Sequence, residues 1–152
     1  MRMKKMCILA AVFALCVTAY AQRADFVTEL LAADKATYGE VCYLSAVHQG
    51  FVDENASYEA ALRSLVQRGQ VVPSVDVNGA VTLQELSWLM AKLWDIKGGL
   101  MYRATKRSAR YTFRQFKVDG ILPATADPSK KASGSDVLNM YTACLRTYGG
   151  AE

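Results

Sequence analysis

Side chains able to do acid–base, nucleophilic or metal chemistry are few in this 152-residue chain. Its one histidine, His48, sits near the end of a helical stretch, SAVHQG, where a partly buried or C-terminal imidazole is ordinary. The four cysteines, Cys7, Cys16, Cys42 and Cys144, form no C-x-x-C pair. Nor is there an H-E-x-x-H, a G-x-S-x-G or a phosphate-cradling glycine loop. Asp53 and Glu54 are adjacent acids, but carboxylates just ahead of a helix start usually stabilise its dipole or face water. These patterns point away from an enzyme, a resident metal and a cofactor. One spacing resembles a metal loop. Ser74, Asp76, Asn78, Ala80, Thr82 and Glu85 fall at calcium-ligand intervals, with Gly79 at the turn and Val81 at the apolar position. Position one is Ser rather than Asp, Pro73 and Gly69 interrupt the entering helix, and no second hand follows. A turn leading into an N-cap is the simpler reading of residues 74–85, and a small calcium-binding periplasmic protein is the alternative.

The elements that position any site begin after a leader. Arg2, Lys4 and Lys5 precede an apolar run from Met6 to Val17, and Ala19-Tyr20-Ala21 is a cleavage site, so residues 1–21 read as a secretory signal peptide. The run is shorter than the roughly 18 residues of a membrane anchor. Cys16 follows Leu15, where a lipobox wants a small residue, and lipidation at Cys16 stays open as the other mode of processing. Three of the 18 basic residues lie in the leader, which leaves 15 against 14 acids in residues 22–152. So small an excess gives no case for nucleic acid. The expectation is one exported domain over 22–152, in the periplasm or cell envelope, with no transmembrane segment after cleavage. Only Cys42 and Cys144 remain in it, and pairing by elimination predicts a disulfide between them.

Val81 to Ile96 is the organising stretch of that domain. Leu83, Leu86, Leu89, Met90, Leu93, Trp94 and Ile96 share one broad apolar arc at helical periodicity, and Thr82-x-x-Glu85 is a capping box. Asp25 to Ala33 is a short helix. Thr37-x-x-Glu40 caps a second helix that Gly50 stops, and Ser57 caps a third, over 58–68, that Gly69 ends. Gly98-Gly99 breaks the central helix, residues 100–118 read as one basic helix stopped at Gly120, and Ser133-x-x-Asp136 caps a last helix ending near Tyr148. No stretch alternates long enough for a sheet, so the predicted class is all-α.

These helices repeat. Thr37 to Leu44, Thr82 to Leu89 and Ser133 to Met140 all read [TS]-x-x-[ED]-[VL]-x-x-[LM], at spacings of 45 and 51 residues. Ala61-Leu62-x-x-Leu65-x-x-x-Gly69 and Thr112-Phe113-x-x-Phe116-x-x-x-Gly120 match in the helices before the second and third copies. The pattern predicts a bundle of repeated helix-loop-helix units over about 25–50, 51–98 and 99–150. Phe51-x-Asp53, Tyr58, Ala61-Leu62, Leu65, Gly69 and Thr82-x-x-Glu85-Leu86-x-x-Leu89 together resemble an S-layer homology repeat. That resemblance implies three repeats in a pseudo-threefold arrangement and tethering to cell-wall polymer or peptidoglycan. The family's Arg after the motif Thr helps hold an anionic wall ligand; here that position is Tyr38, Leu83 and Gly134, which separates the implied fold from the implied ligand.

From Lys97 to Lys117 there are seven basic residues and no acid, with Arg103, Arg107, Arg110, Arg114 and Lys117 recurring at helical spacing along one face. Such a stripe is usually a solvated face; its functional reading is a docking surface for something anionic. Trp88 falls among Gln84, Glu85, Lys92 and Asp95 on the polar side of the central helix, where it either packs under a neighbouring repeat or serves as a binding anchor. The functional expectation is an exported, non-enzymatic protein that binds a cell-wall component or an envelope protein partner through Trp88 and the basic stripe.

Overall fold

The computed structural model describes residues 25–105 and 107–149. The expected signal peptide, its expected cleavage site and Cys16 lie outside the described residues. The described chain is all-helical: α1 (residues 25–32), α2 (Tyr38–His48), α3 (Tyr58–Gln67), α4 (Leu83–Leu93), α5 (Leu100–Ala104), α6 (Ala109–Val118) and α7 (Gly134–Tyr148), with no strand among them.

The three sequence boxes form as reciprocal caps. Thr37 N–H donates to Glu40 Oε2 at 2.7 Å while Glu40 N–H donates to Thr37 Oγ1 at 3.3 Å. The Thr82–Glu85 pair does the same at 2.7 and 3.2 Å, and Ser133–Asp136 at 2.9 and 3.2 Å. Each box satisfies two backbone donors that the helix itself leaves orphaned.

The residue before each box ties the starts of the three helices together. Val81 N–H donates to the Ala36 carbonyl at 3.0 Å, Ala132 N–H to the Val81 carbonyl at 2.9 Å, and Ala36 N–H to the Ala132 carbonyl at 2.7 Å. The result is a closed cycle of three hydrogen bonds among three fully buried residues. A second set lies just outside it: Tyr38 N–H to Gly79, Leu83 N–H to Lys130 and Gly134 N–H to Ala33, each at 2.9 Å. Buried backbone groups must be paired, and here the pairing joins segments 41 to 101 residues apart in the chain.

From that ring the helices run outward with their partners. α3 packs on α2 and α6 on α4, while α4 also touches both α2 and α7. Leu86, Met90, Leu65, Phe116, Val41 and Val137 fill the space between them, all at most 1 % exposed. Gly69 and Gly120 take left-handed conformations, φ 67° and 73°. They let Gln70 N–H reach the Leu65 carbonyl and Ile121 N–H reach the Phe116 carbonyl at 2.9 Å, closing α3 and α6 the same way.

Three expectations are corrected. α4 ends at Leu93 rather than at Gly98, because Asp95 itself turns left-handed, φ 39°, and Ile96 N–H closes on the Ala91 carbonyl at 3.0 Å. Residues 100–118 are two helices, since Arg107 is also left-handed, φ 58°, and Ser108 starts α6 afresh. Cys42 and Cys144 are separate, buried free thiols, not a disulfide. Cys42 is the fifth residue after its N-cap and Cys144 the eleventh, so helices starting from one ring stagger them by about 9 Å along their axes. Cα atoms more than about 7 Å apart cannot be bridged.

Candidate functional site

Tyr38, Leu83 and Gly134, the positions after each box's N-cap, are occupied by packing. Leu83 is 4 % exposed. Tyr38 is half-buried and its hydroxyl bonds the Glu85 carboxylate, tying the first box to the second; burial first, then Glu85, raises its pKa. At Gly134 an added Cβ would lie 1.5 Å from the Leu30 carbonyl oxygen, so α1 closes that position with its own backbone. None of the three offers a cation.

The cations lie on α5 and α6. Burying Thr112, Phe113 and Phe116 against α4 turns Arg110 and Arg114 to solvent on the opposite side of α6. The break at 105–108 moves Arg103 onto α5, where it is also exposed. Arg107 and Lys117 are tied down instead. Arg107 donates to Asp95 Oδ1 at 2.9 Å, an ion pair between the two left-handed residues. Lys117 Nζ donates to the Ala124 carbonyl at 2.8 Å and lies 5.0 Å over the Phe113 ring. Among the described residues Arg103, Arg110 and Arg114 form no ion pair; Arg114 reaches only the Tyr111 ring, 5.6 Å away. The stripe is therefore three available charges and two structural ones.

Trp88 is half-buried against the core. Lys92, one turn on, holds Nζ 4.3 Å above its ring and donates to the Gly69 carbonyl at 3.2 Å. The stack bridges α4 to the end of α3, which gives Trp88 a packing role on the polar side of its helix. Burial, then the nearby Arg107 charge, lowers the Lys92 pKa.

Several of the remaining chemistry-bearing groups are held in hydrogen bonds. The Asp76 carboxylate caps its own turn by accepting from Asn78 N–H at 3.0 Å, and Glu85 is engaged by Thr82 and Tyr38. Among the described residues no three His, Cys, Asp or Glu side chains gather as a metal site. His48 Nδ1 meets the Tyr141 hydroxyl at 2.6 Å and its ring lies 4.8 Å from Trp94; burial lowers its pKa. A cleft of about 720 Å³ opens between the ends of α4, α6 and α7. In it the Asp119 carboxylate accepts from Gln115 Nε2 at 2.8 Å and from the Tyr148 hydroxyl at 2.5 Å. Gln115 Oε1 in turn accepts from Gly99 N–H at 3.1 Å, so these groups fasten α6, α7 and the 95–99 connection to one another.

Two features escaped the sequence reading. Leu100 and Val118, 82 % and 80 % exposed, stand beside the available arginines. Val118 follows Arg114 by four residues, a spacing that places both on one helix face and was the available signal. Comparison with protein-family models, with curated proteins and with solved structures finds no match.

Proposed function

We propose that this is an exported, non-enzymatic protein of the cell envelope, built of three degenerate S-layer-homology-like repeats, which works by binding an anionic envelope component through the outer face of α5 and α6. The observation that carries the reading is the set Arg103, Arg110 and Arg114, exposed and without ion pairs among the described residues in a segment that holds no acid between Lys97 and Lys117. The closed ring at Ala36, Val81 and Ala132 supports the repeat reading, because positions in the same register of all three boxes make the same bond. Cell-wall polymer, peptidoglycan and an acidic envelope protein all present the charge such a face selects. Trp88, stacked by Lys92, is not needed for this reading.

The test is co-sedimentation of the processed chain with an envelope fraction of its host at low and high salt. Binding that falls with salt, and falls further in Arg110→Gln/Arg114→Gln without a change in melting temperature, supports the reading. Salt-independent binding, or binding unchanged in that variant, refutes it.

A further inference from the structure

Resting on that basic-face reading, we propose that the anionic component is a phospholipid surface, on which the α5–α6 edge lies with Leu100 and Val118 in the headgroup–acyl boundary. Of the large apolar side chains exposed on the described residues, these two are far ahead of Leu31 at 54 % and Val72 at 53 %. They belong to different helices, the first residue of α5 and the last of α6, yet both line one open concavity of about 380 Å³ with Tyr111 and Arg114. Tyr102, 3 % exposed, also lines it and is held in the protein, so the two exposed side chains project from a firm base. Apolar side chains in water gain nothing for folding, and an apolar edge set among cations is the composition of an interfacial surface.

The pairing decides among anionic partners. A wall polymer would satisfy Arg103, Arg110 and Arg114 but offers no apolar layer for Leu100 and Val118. A bilayer with anionic headgroups offers both at the depth where arginine stems and aromatic rings sit. No helix among the described residues is long and apolar enough to cross a membrane, so the contact is peripheral. Each basic side chain near an anionic surface contributes about fivefold to partitioning. Burying one Leu-sized side chain contributes about tenfold or more.

The experiment uses the processed chain purified from its host, with vesicles of one part phosphatidylglycerol to about three parts phosphatidylcholine, vesicles of phosphatidylcholine alone, and purified peptidoglycan sacculi. The expected result is sedimentation with the anionic vesicles, little with the neutral ones and little with sacculi. Leu100→Ser/Val118→Ser, at solvent-exposed positions and checked by an unchanged melting temperature, loses about a hundredfold in partitioning. Arg110→Gln/Arg114→Gln loses about twenty-fivefold. Equal binding of the Leu100→Ser/Val118→Ser protein, or equal binding to both vesicle types, overturns the proposal. Salt-sensitive binding to sacculi alone overturns the lipid assignment and leaves the basic face standing; binding to none of the three overturns the lipid assignment, and the envelope co-sedimentation then judges the basic face by itself.

Discussion

Gly134→Ala isolates the contact between α1 and the start of α7. The new Cβ would sit 1.5 Å from the Leu30 carbonyl oxygen, so α1 must retreat roughly 2 Å to restore ordinary carbon–oxygen contact. That movement breaks the Gly134 N–H to Ala33 bond, a cost of about 1 kcal/mol. It also unseats Leu30, which is fully buried, at about 2 kcal/mol. Against these stands the helix-propensity gain of Ala over Gly, about 1 kcal/mol at most. The net loss is roughly 2 kcal/mol, a fall of about 8 °C in melting temperature for a domain of this size. Thermal unfolding followed by circular dichroism measures it, with Asn139→Ala, exposed on the same helix, as a propensity control. A Gly134→Ala protein as stable as the parent, or more stable, would show that α1 does not rest on the start of α7.

The thiols of Cys42 and Cys144 are buried and their pKa values pushed up to about 12, by burial and, for Cys144, also by Asp119. The processed chain is expected to show no thiol reactive to a disulfide reagent when native and two in denaturant. Removing a box should cost about 1 kcal/mol, so Thr37→Ala, Thr82→Ala and Ser133→Ala should each lower the urea midpoint. Burial pushes the Glu85 carboxyl up, but hydrogen bonds from Thr82 and Tyr38 with the Lys131 charge outweigh it and hold the pKa below its ordinary 4.5. A depressed folded pKa means this stabilisation is complete above about pH 4.5 and is lost as pH falls through the folded value; Glu85→Gln should flatten that acid limb. Asp95→Gly relieves a left-handed residue at the loss of an exposed ion pair, and should leave stability unchanged or raise it by up to about 1 kcal/mol.

What the sequence exposes here is what side chains encode locally. A capping box is four residues long, so Thr37, Thr82 and Ser133 mark helix starts without tertiary information. Gly69 and Gly120 mark stops for the same reason. The ring of Ala36, Val81 and Ala132 is made of backbone groups, which every residue but proline carries, and nothing in their side chains announces it. The break at 105–108 contains neither Gly nor Pro, and a left-handed Arg107 held by Asp95 has no local signature. The disulfide expectation failed although the repeat register already staggered the two cysteines by six residues. Of the two readings open for Trp88 in the sequence, the Lys92 stack one turn away favours packing, a contact that a wheel counting Lys92 only as polar surface does not show.

A hydrogen-exchange footprint of the processed protein, with and without the anionic envelope fraction, bears most directly on the binding face. Slowed exchange is expected over residues 100–118, in α5 and α6, with α2 and α3 unchanged, and the effect should vanish in Arg110→Gln/Arg114→Gln. Protection over α2 and α3 with α5 and α6 unchanged would contradict the account.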